Sequence, residues 1–142
     1  MEKSNFNSTK KDCVTALTVT ANGEFLISGS ADKSIKIIDL DTKREVHHFK
    51  DIHTDGVSCV AVSQNSKYLA SGSEDHSIKL FDLQTKREIH HFKNAHKAKI
   101  SSVQFSSDGK QIFSAAWDKH VKVFDVEGKN EVASKHPHKG IY

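Results

Sequence analysis

The sequence predicts an all-β fold of three successive four-stranded antiparallel sheets, and three observations predict it. The phrase SGSADKSIKIIDL at residues 28–40 returns as SGSEDHSIKLFDL at 71–83 and, more loosely, as SAAWDKHVKVFDV at 114–126, a period of 43 residues. Self-similarity at such a period marks a supersecondary unit that buries its faces only by stacking on copies of itself. Apolar residues also fall in short runs rich in Val, Ile and Phe, and nowhere do they recur with a helical period. Finally, each unit carries a turn signal after its first apolar run: Asn22-Gly23, Asn65-Ser66 and Asp108-Gly109. Residues 28–50 and 71–93 differ at only six of 23 positions, mostly by conservative changes such as Ile37 to Leu80.

The second unit shows the elements in order. VSCVAVS at 57–63 reads as a mostly apolar first strand. Asn65-Ser66 is expected to be a two-residue hairpin turn with both residues at positive φ. Residues 68–72 form a second strand and Asp75-His76 the next turn, since an aspartate stabilises a turn by accepting bonds from its own backbone. Residues 78–82 form a third strand, with Ile78 and Leu80 opposed to Lys79 and Phe81. Thr85-Lys86 turns the chain again, and 88–92 is the outermost strand. The single proline, Pro137, lies outside every strand.

Composition narrows the class. At 142 residues, 36% apolar and 27% charged, the chain reads as globular, and no apolar run is long enough to span a membrane. The polar start MEKSNFNSTKKD has no apolar core of a secretory signal, so cytosol or nucleus is the expected compartment. Cys13 and Cys59 lie at or within apolar runs without a Cys-x-x-Cys partner and are expected to be buried, reduced thiols. A formal charge of +3 permits an acidic partner without requiring nucleic acid.

The unit resembles the WD40 repeat of β-propellers over residues 11–132. The motifs that carry the resemblance are His53 and His96, each four residues before an apolar strand start, the Ser-Gly-Ser second strand, the turn aspartate and the closing apolar-Asp pair. The name-giving Trp-Asp is Ile38-Asp39, Phe81-Asp82 and Phe124-Asp125 here. The resemblance implies β-propeller blades at about 14–49, 57–92 and 100–134, after a polar tail at 1–12. Residues 135–142 resemble the start of a truncated fourth repeat, with His138 aligned on His96 and Tyr142 on Ile100. Three blades make an open arc or part of a larger ring, so further blades or a homo-oligomer are expected to cover the two bare apolar faces. The resemblance also implies a hydrogen-bonded network joining loop histidine, strand serine and turn aspartate: His53, Ser71 and Asp75 in the second unit, His96, Ser114 and Asp118 in the third. The first unit keeps Ser28 and Asp32, with Lys10 at the histidine position.

A Ser, a His and an Asp together raise the question of nucleophilic catalysis. Their recurrence in register in two successive units points instead to a structural device, and the sequence shows no oxyanion donors or phosphate loop to complete an active site. Adjacent histidines at His47-His48 and His90-His91 sit on one strand and point to opposite faces, so neither pair is expected to chelate one ion. No metal or cofactor is expected. The expected function is a non-catalytic protein–protein interaction scaffold. Trp117 stands just before a turn aspartate, where Ala31 and Glu74 stand in the other units, with Lys97, Lys99 and Lys119 at the same end. Together they form a candidate site for an acidic or phosphorylated peptide. The alternative is a nucleic-acid-binding propeller module using a basic face. The 18 acidic residues interleaved with 21 basic ones, and the lack of recurring stacking aromatics, argue against it.

Overall fold

The computed structural model describes residues 13–137, and these form twelve strands and no helix. The first sheet is β1 (Val14–Val19), β2 (Phe25–Ser30), β3 (Ile35–Asp39) and β4 (Arg44–Phe49). The second is β5 (Val57–Val62), β6 (Tyr68–Ser73), β7 (Ile78–Asp82) and β8 (Arg87–Phe92). The third is β9 (Ile100–Phe105), β10 (Gln111–Ala116), β11 (Val121–Asp125) and β12 (Asn130–Lys135). Each is an antiparallel meander in chain order. The strand bounds repeat every 43 residues, and so does a bulge in each outer pair, at Ile37/Ile38, Leu80/Phe81 and Val123/Phe124. The first strands of successive sheets lie side by side, so the three sheets stand as blades in an arc that does not close.

The hairpin between first and second strands differs from expectation. It is a five-residue connection in which only the second residue of each signal pair is left-handed: Gly23 at φ 75°, Ser66 at φ 61° and Gly109 at φ 72°. The first residue works through its side chain. Asn22 Oδ1 accepts from Thr20 Oγ1 at 2.6 Å and from the Glu24 N–H at 3.0 Å, and Asn65 and Asp108 repeat this with Ser63 and Ser106 at 2.7 and 2.6 Å. A side-chain oxygen that substitutes for a backbone acceptor removes the need for two residues at positive φ. The other turns place lysine or histidine in the left-handed region, as at Lys33, His76 and Lys119, and at Lys43, Lys86 and Lys129. Aspartate bonds hold them there: Asp82 Oδ1 accepts the Gln84 and Thr85 N–H groups at 2.8 and 3.0 Å.

The core lies between the sheets. One cluster fills the joint of the first and second blades with Ile27, Ile35, Ile37 and Phe49 from one side and Val57, Val60, Leu69 and Phe81 from the other. The second joint repeats it with Ala70, Ile78, Leu80 and Phe92 against Ile100, Val103, Ile112 and Phe124. Phe49 meets Phe81 with ring centres 4.8 Å apart, and Phe92 meets Phe124 at 4.9 Å. Thr15 Oγ1 donates to the Val57 carbonyl, and Ser58 Oγ, one period later, to that of Ile100. Each joint is thus apolar burial, about 1.5–3 kcal/mol for each large side chain, with one hydroxyl bridge.

Among the described residues, the outer faces repeat the joint residues without a neighbour. Leu17 is 61% exposed, while its counterparts Val60 and Val103 are 9% and 4% exposed. On the opposite face of the arc Val121 is 39% exposed, while Ile35 and Ile78 are at 0%. Cys59 is buried in the second joint, and burial pushes its thiol up to about 11. Cys13 is exposed, contrary to expectation. It stands just before β1, and among the described residues no sheet precedes β1.

Candidate functional site: buried networks and the Trp117 end face

The second blade joins three separate segments at His53. The ring comes from the loop before β5, its serine from the middle of β6, and its aspartate from the β6–β7 turn. His53 Nε2 lies 2.8 Å from Ser71 Oγ, and Nδ1 lies 2.9 Å from Asp75 Oδ2 and 3.1 Å from Ser77 Oγ. A carboxylate only accepts, so Nδ1 carries the hydrogen, and in the neutral ring Nε2 accepts from the serine hydroxyl. Asp75 also accepts from the Thr54 N–H at 3.0 Å, the Ser77 N–H at 2.9 Å and Ser77 Oγ at 2.6 Å. Burial pushes the Asp75 carboxyl up, but these hydrogen bonds outweigh burial and hold it well below the usual carboxylate range.

The third blade repeats the arrangement. His96 Nε2 lies 2.7 Å from Ser114 Oγ, and Nδ1 lies 2.9 Å from Asp118 Oδ2. Asp118 accepts from the Lys97 and His120 N–H groups, both at 3.0 Å. Burial works against the Asp118 carboxylate, yet these backbone bonds and the one to His96 lower it to about 2. Burial lowers His96, against the pull of Asp118, so the ring is held neutral. In the first blade Ser28 is half-buried, and Asp32 Oδ1 accepts from the N–H and hydroxyl of Ser34 within its own turn. Lys10, His138 and Tyr142 lie outside the described residues.

Sequence reasoning missed Ser77, Thr54 and Ser73. Ser77 belongs to an Asp-x-Ser turn also visible as Asp32-Lys33-Ser34, so its signal was present. Thr54 acts mainly through its N–H, which no sequence pattern shows, while its Oγ1 donates to the same Asp75 Oδ2 at 3.5 Å. Ser73 is fully buried and hands the network on: its Oγ donates to the Gly56 carbonyl at 2.8 Å and accepts the Asp75 N–H at 3.0 Å. The paired histidines separate across the sheet. His90 packs edge-on against Phe92 with centres 4.6 Å apart, while His91 faces His53 at 6.4 Å. Among the described residues no group of three or more His, Cys, Asp or Glu is placed to hold a metal ion.

The turn residues before Asp32, Asp75 and Asp118 share one end of the arc. The backbone N–H of Ala31, Glu74 and Trp117 donates to the carbonyl of Cys13, Gly56 and Lys99 respectively, at 2.9, 2.9 and 3.0 Å. That bond sets Lys99 beside Trp117, where its Nζ stands 4.8 Å from the ring centre. Lys99 also reaches Glu74 of the neighbouring blade, at 3.4 Å. Trp117 is 68% exposed, and Lys97, Lys119 and Glu74 are exposed around it. The five candidate residues therefore share one face. Glu74, however, offsets part of the positive charge rather than adding a separate contact.

A family model for the WD domain, G-beta repeat, matches residues 3–39, 44–82 and 86–125. The chain belongs to the WD40 repeat family. Each full WD40 repeat is offset from the blades: 44–82 holds the outer strand β4 of one blade and the three inner strands of the next. A single sequence repeat therefore spans a joint. Among solved structures the chain is similar to one titled "Structure of U3-55K" and another titled "Crystal structure of RRP9 WD40 repeats", each with a TM-score of 0.86 and 26% identity. The matches cover 94% of this chain but only 42% and 41% of those chains. A comparison with curated proteins finds no match. The second and third repeats keep the histidine, serine and aspartate positions, with phenylalanine in place of the tryptophan.

Proposed function

We propose that the protein is a non-catalytic protein–protein interaction scaffold whose end face, centred on Trp117, binds an acidic or phosphorylated peptide segment. The observation that carries this reading is the tryptophan itself. A large aromatic ring stands exposed on a turn tied by a backbone bond to Lys99, and the Lys99 ammonium stands over it. Exposed aromatics on a rigid turn are the commonest energetic anchors of protein interfaces. Lys97, Lys99 and Lys119 against Glu74 leave the patch a net formal charge of about +2, which favours anionic partners. The arc completes its apolar joints with further blades, or with a second copy of the chain.

The His-Ser-Asp arrangement has the atom order of a hydrolase triad, with serine on Nε2 and carboxylate on Nδ1. Burial argues for a structural role, because Ser71 is at 0% exposure and Ser114 at 3%, so neither hydroxyl meets a substrate carbonyl. The test uses a serine-glycine peptide carrying two phosphoserines, its glutamate counterpart and a mixed-sequence oligonucleotide, each followed by fluorescence anisotropy. Binding of either peptide that falls at least tenfold in Trp117→Ala, with thermal stability unchanged, is the expected result. Binding of the oligonucleotide alone, with a steep salt dependence, would replace the scaffold reading by the nucleic-acid one. A core-like loss of about 3–5 kcal/mol in Trp117→Ala would show that the ring supports the fold.

A further inference from the structure

The chain makes one kind of joint twice and carries both halves of a third. On the third blade Phe113 and Val121 are exposed, at positions that are buried as Ile27 and Ile35 in the first blade and as Ala70 and Ile78 in the second. On the first blade Val14 and Leu17 are exposed, at positions buried as Val57 and Val60 and as Ile100 and Val103. The polar part of the joint repeats too. Thr15 Oγ1 lies 3.2 Å from the Gly29 carbonyl of its own sheet and donates to the Val57 carbonyl of the next. Two periods later Ser101 is exposed, and its Oγ lies 3.1 Å from the matching carbonyl of its own sheet, that of Ala115. The third blade departs from the other two at two positions on this face. Lys135 stands exposed at the outer rim in place of Phe49 and Phe92, and Ala115 stands in place of Gly29 and Gly72. Those glycines are where the next blade comes closest. A Cβ at Gly29 would lie 2.6 Å from Val57 Cγ1, and one at Gly72 would lie 2.7 Å from Ile100 Cγ2, whereas carbon atoms pack at about 3.5–4.0 Å.

We infer that a second copy of the chain docks the inner strand of its first blade on the open face of the third blade, in the geometry of the internal joints, and that the methyl group of Ala115 sets how closely it seats. The occupant follows from a complementarity that the chain displays twice within itself. Val14 of the copy takes the place of Val57 and Ile100, Leu17 takes that of Val60 and Val103, and the Val14 carbonyl receives the Ser101 hydroxyl. The Ala115 methyl then stands in the path of the Val14 side chain and holds the copy off by about an ångström. Close packing is lost along the strand, so the contact is weaker than either internal joint. It is also heterologous, because the two faces differ, and each copy offers one half to each neighbour. This inference rests on the second-copy reading given above and is independent of the Trp117 turn.

The test breaks one half of the contact in each of two full-length chains. Leu17→Lys spoils the first-blade face and leaves the third intact, and Val121→Lys does the reverse. Both residues are exposed, and circular dichroism melts of each variant check that the fold is kept. In sedimentation velocity each variant alone should be monomeric, and an equimolar mixture should give a dimer with one intact contact. Ala115→Gly placed in the Leu17→Lys chain should tighten that dimer at least about tenfold, by removing the overlap. Placed in the Val121→Lys chain, whose third face is already spoiled, it should change nothing. The direction is diagnostic, because Ala115→Gly removes an apolar carbon and would weaken any unspecific apolar association. Trp117→Ala in either chain should leave the dimer unchanged, which separates failure here from failure of the end-face reading. A mixture that stays monomeric would overturn the inference. So would an Ala115→Gly change that fails to tighten the dimer, or one that acts equally from either chain.

Discussion

Replacing Asp75 by alanine tests whether the buried network supports the fold. The carboxylate accepts five hydrogen bonds, from His53 Nδ1, the Thr54 N–H, Thr54 Oγ1, the Ser77 N–H and Ser77 Oγ. Their loss is unequal. Thr54 is exposed, so water satisfies its N–H. His53 Nδ1 keeps a partner, because Ser77 Oγ at 3.1 Å is freed to accept. The Ser77 N–H is buried and loses its acceptor, at a cost of about 1–3 kcal/mol. The charge-assisted component of the His53 bond adds about 1 kcal/mol. The sum is about 2–4 kcal/mol, or a fall in melting temperature of roughly 10 °C for a domain of this size. Far-UV circular dichroism melts of parent and Asp75→Ala at pH 7.5 measure it. Asp75→Asn, which keeps one accepting oxygen, should fall between them. A variant that melts within about 1 °C of the parent would refute the reasoning.

Three further outcomes are expected. Acid should destabilise the protein in two steps, because His96 is held below 6.5 in the folded state and Asp118 is lowered from 3.8 to about 2. Both groups bind more protons when unfolded, so their stabilisation is complete above the unfolded values and is lost as pH falls, first below about 6.5 and then below about 4; melting temperatures that rise between pH 7 and 5 would contradict this. Ser58→Ala should cost about 1 kcal/mol by removing the hydroxyl bridge to the Ile100 carbonyl across the second joint, read from urea unfolding midpoints. The chain should self-associate at tens of micromolar, since covering a few hundred Å² of apolar sheet face contributes on the order of 10 kcal/mol before association costs. Light scattering should show a shift toward monomer in Leu17→Lys combined with Val121→Lys, and a monomeric parent would show that the open faces need no cover.

The sequence alone carried the repeat, the strand order and the buried trios, because each of these is periodic. A 43-residue echo places His53 with His96, Ser71 with Ser114 and Asp75 with Asp118, and a residue with the same role in two units betrays a shared environment. Contacts that are not side-chain patterns stayed hidden. The Thr54 N–H bond to Asp75 is made by backbone, and the hairpin geometry at Asn65-Ser66 turned on where an amide oxygen sat rather than on the residue pair. Cys13 and Cys59 both sit against apolar residues, yet one is exposed and the other buried, because burial in this fold comes from the next sheet and only Cys59 faces one.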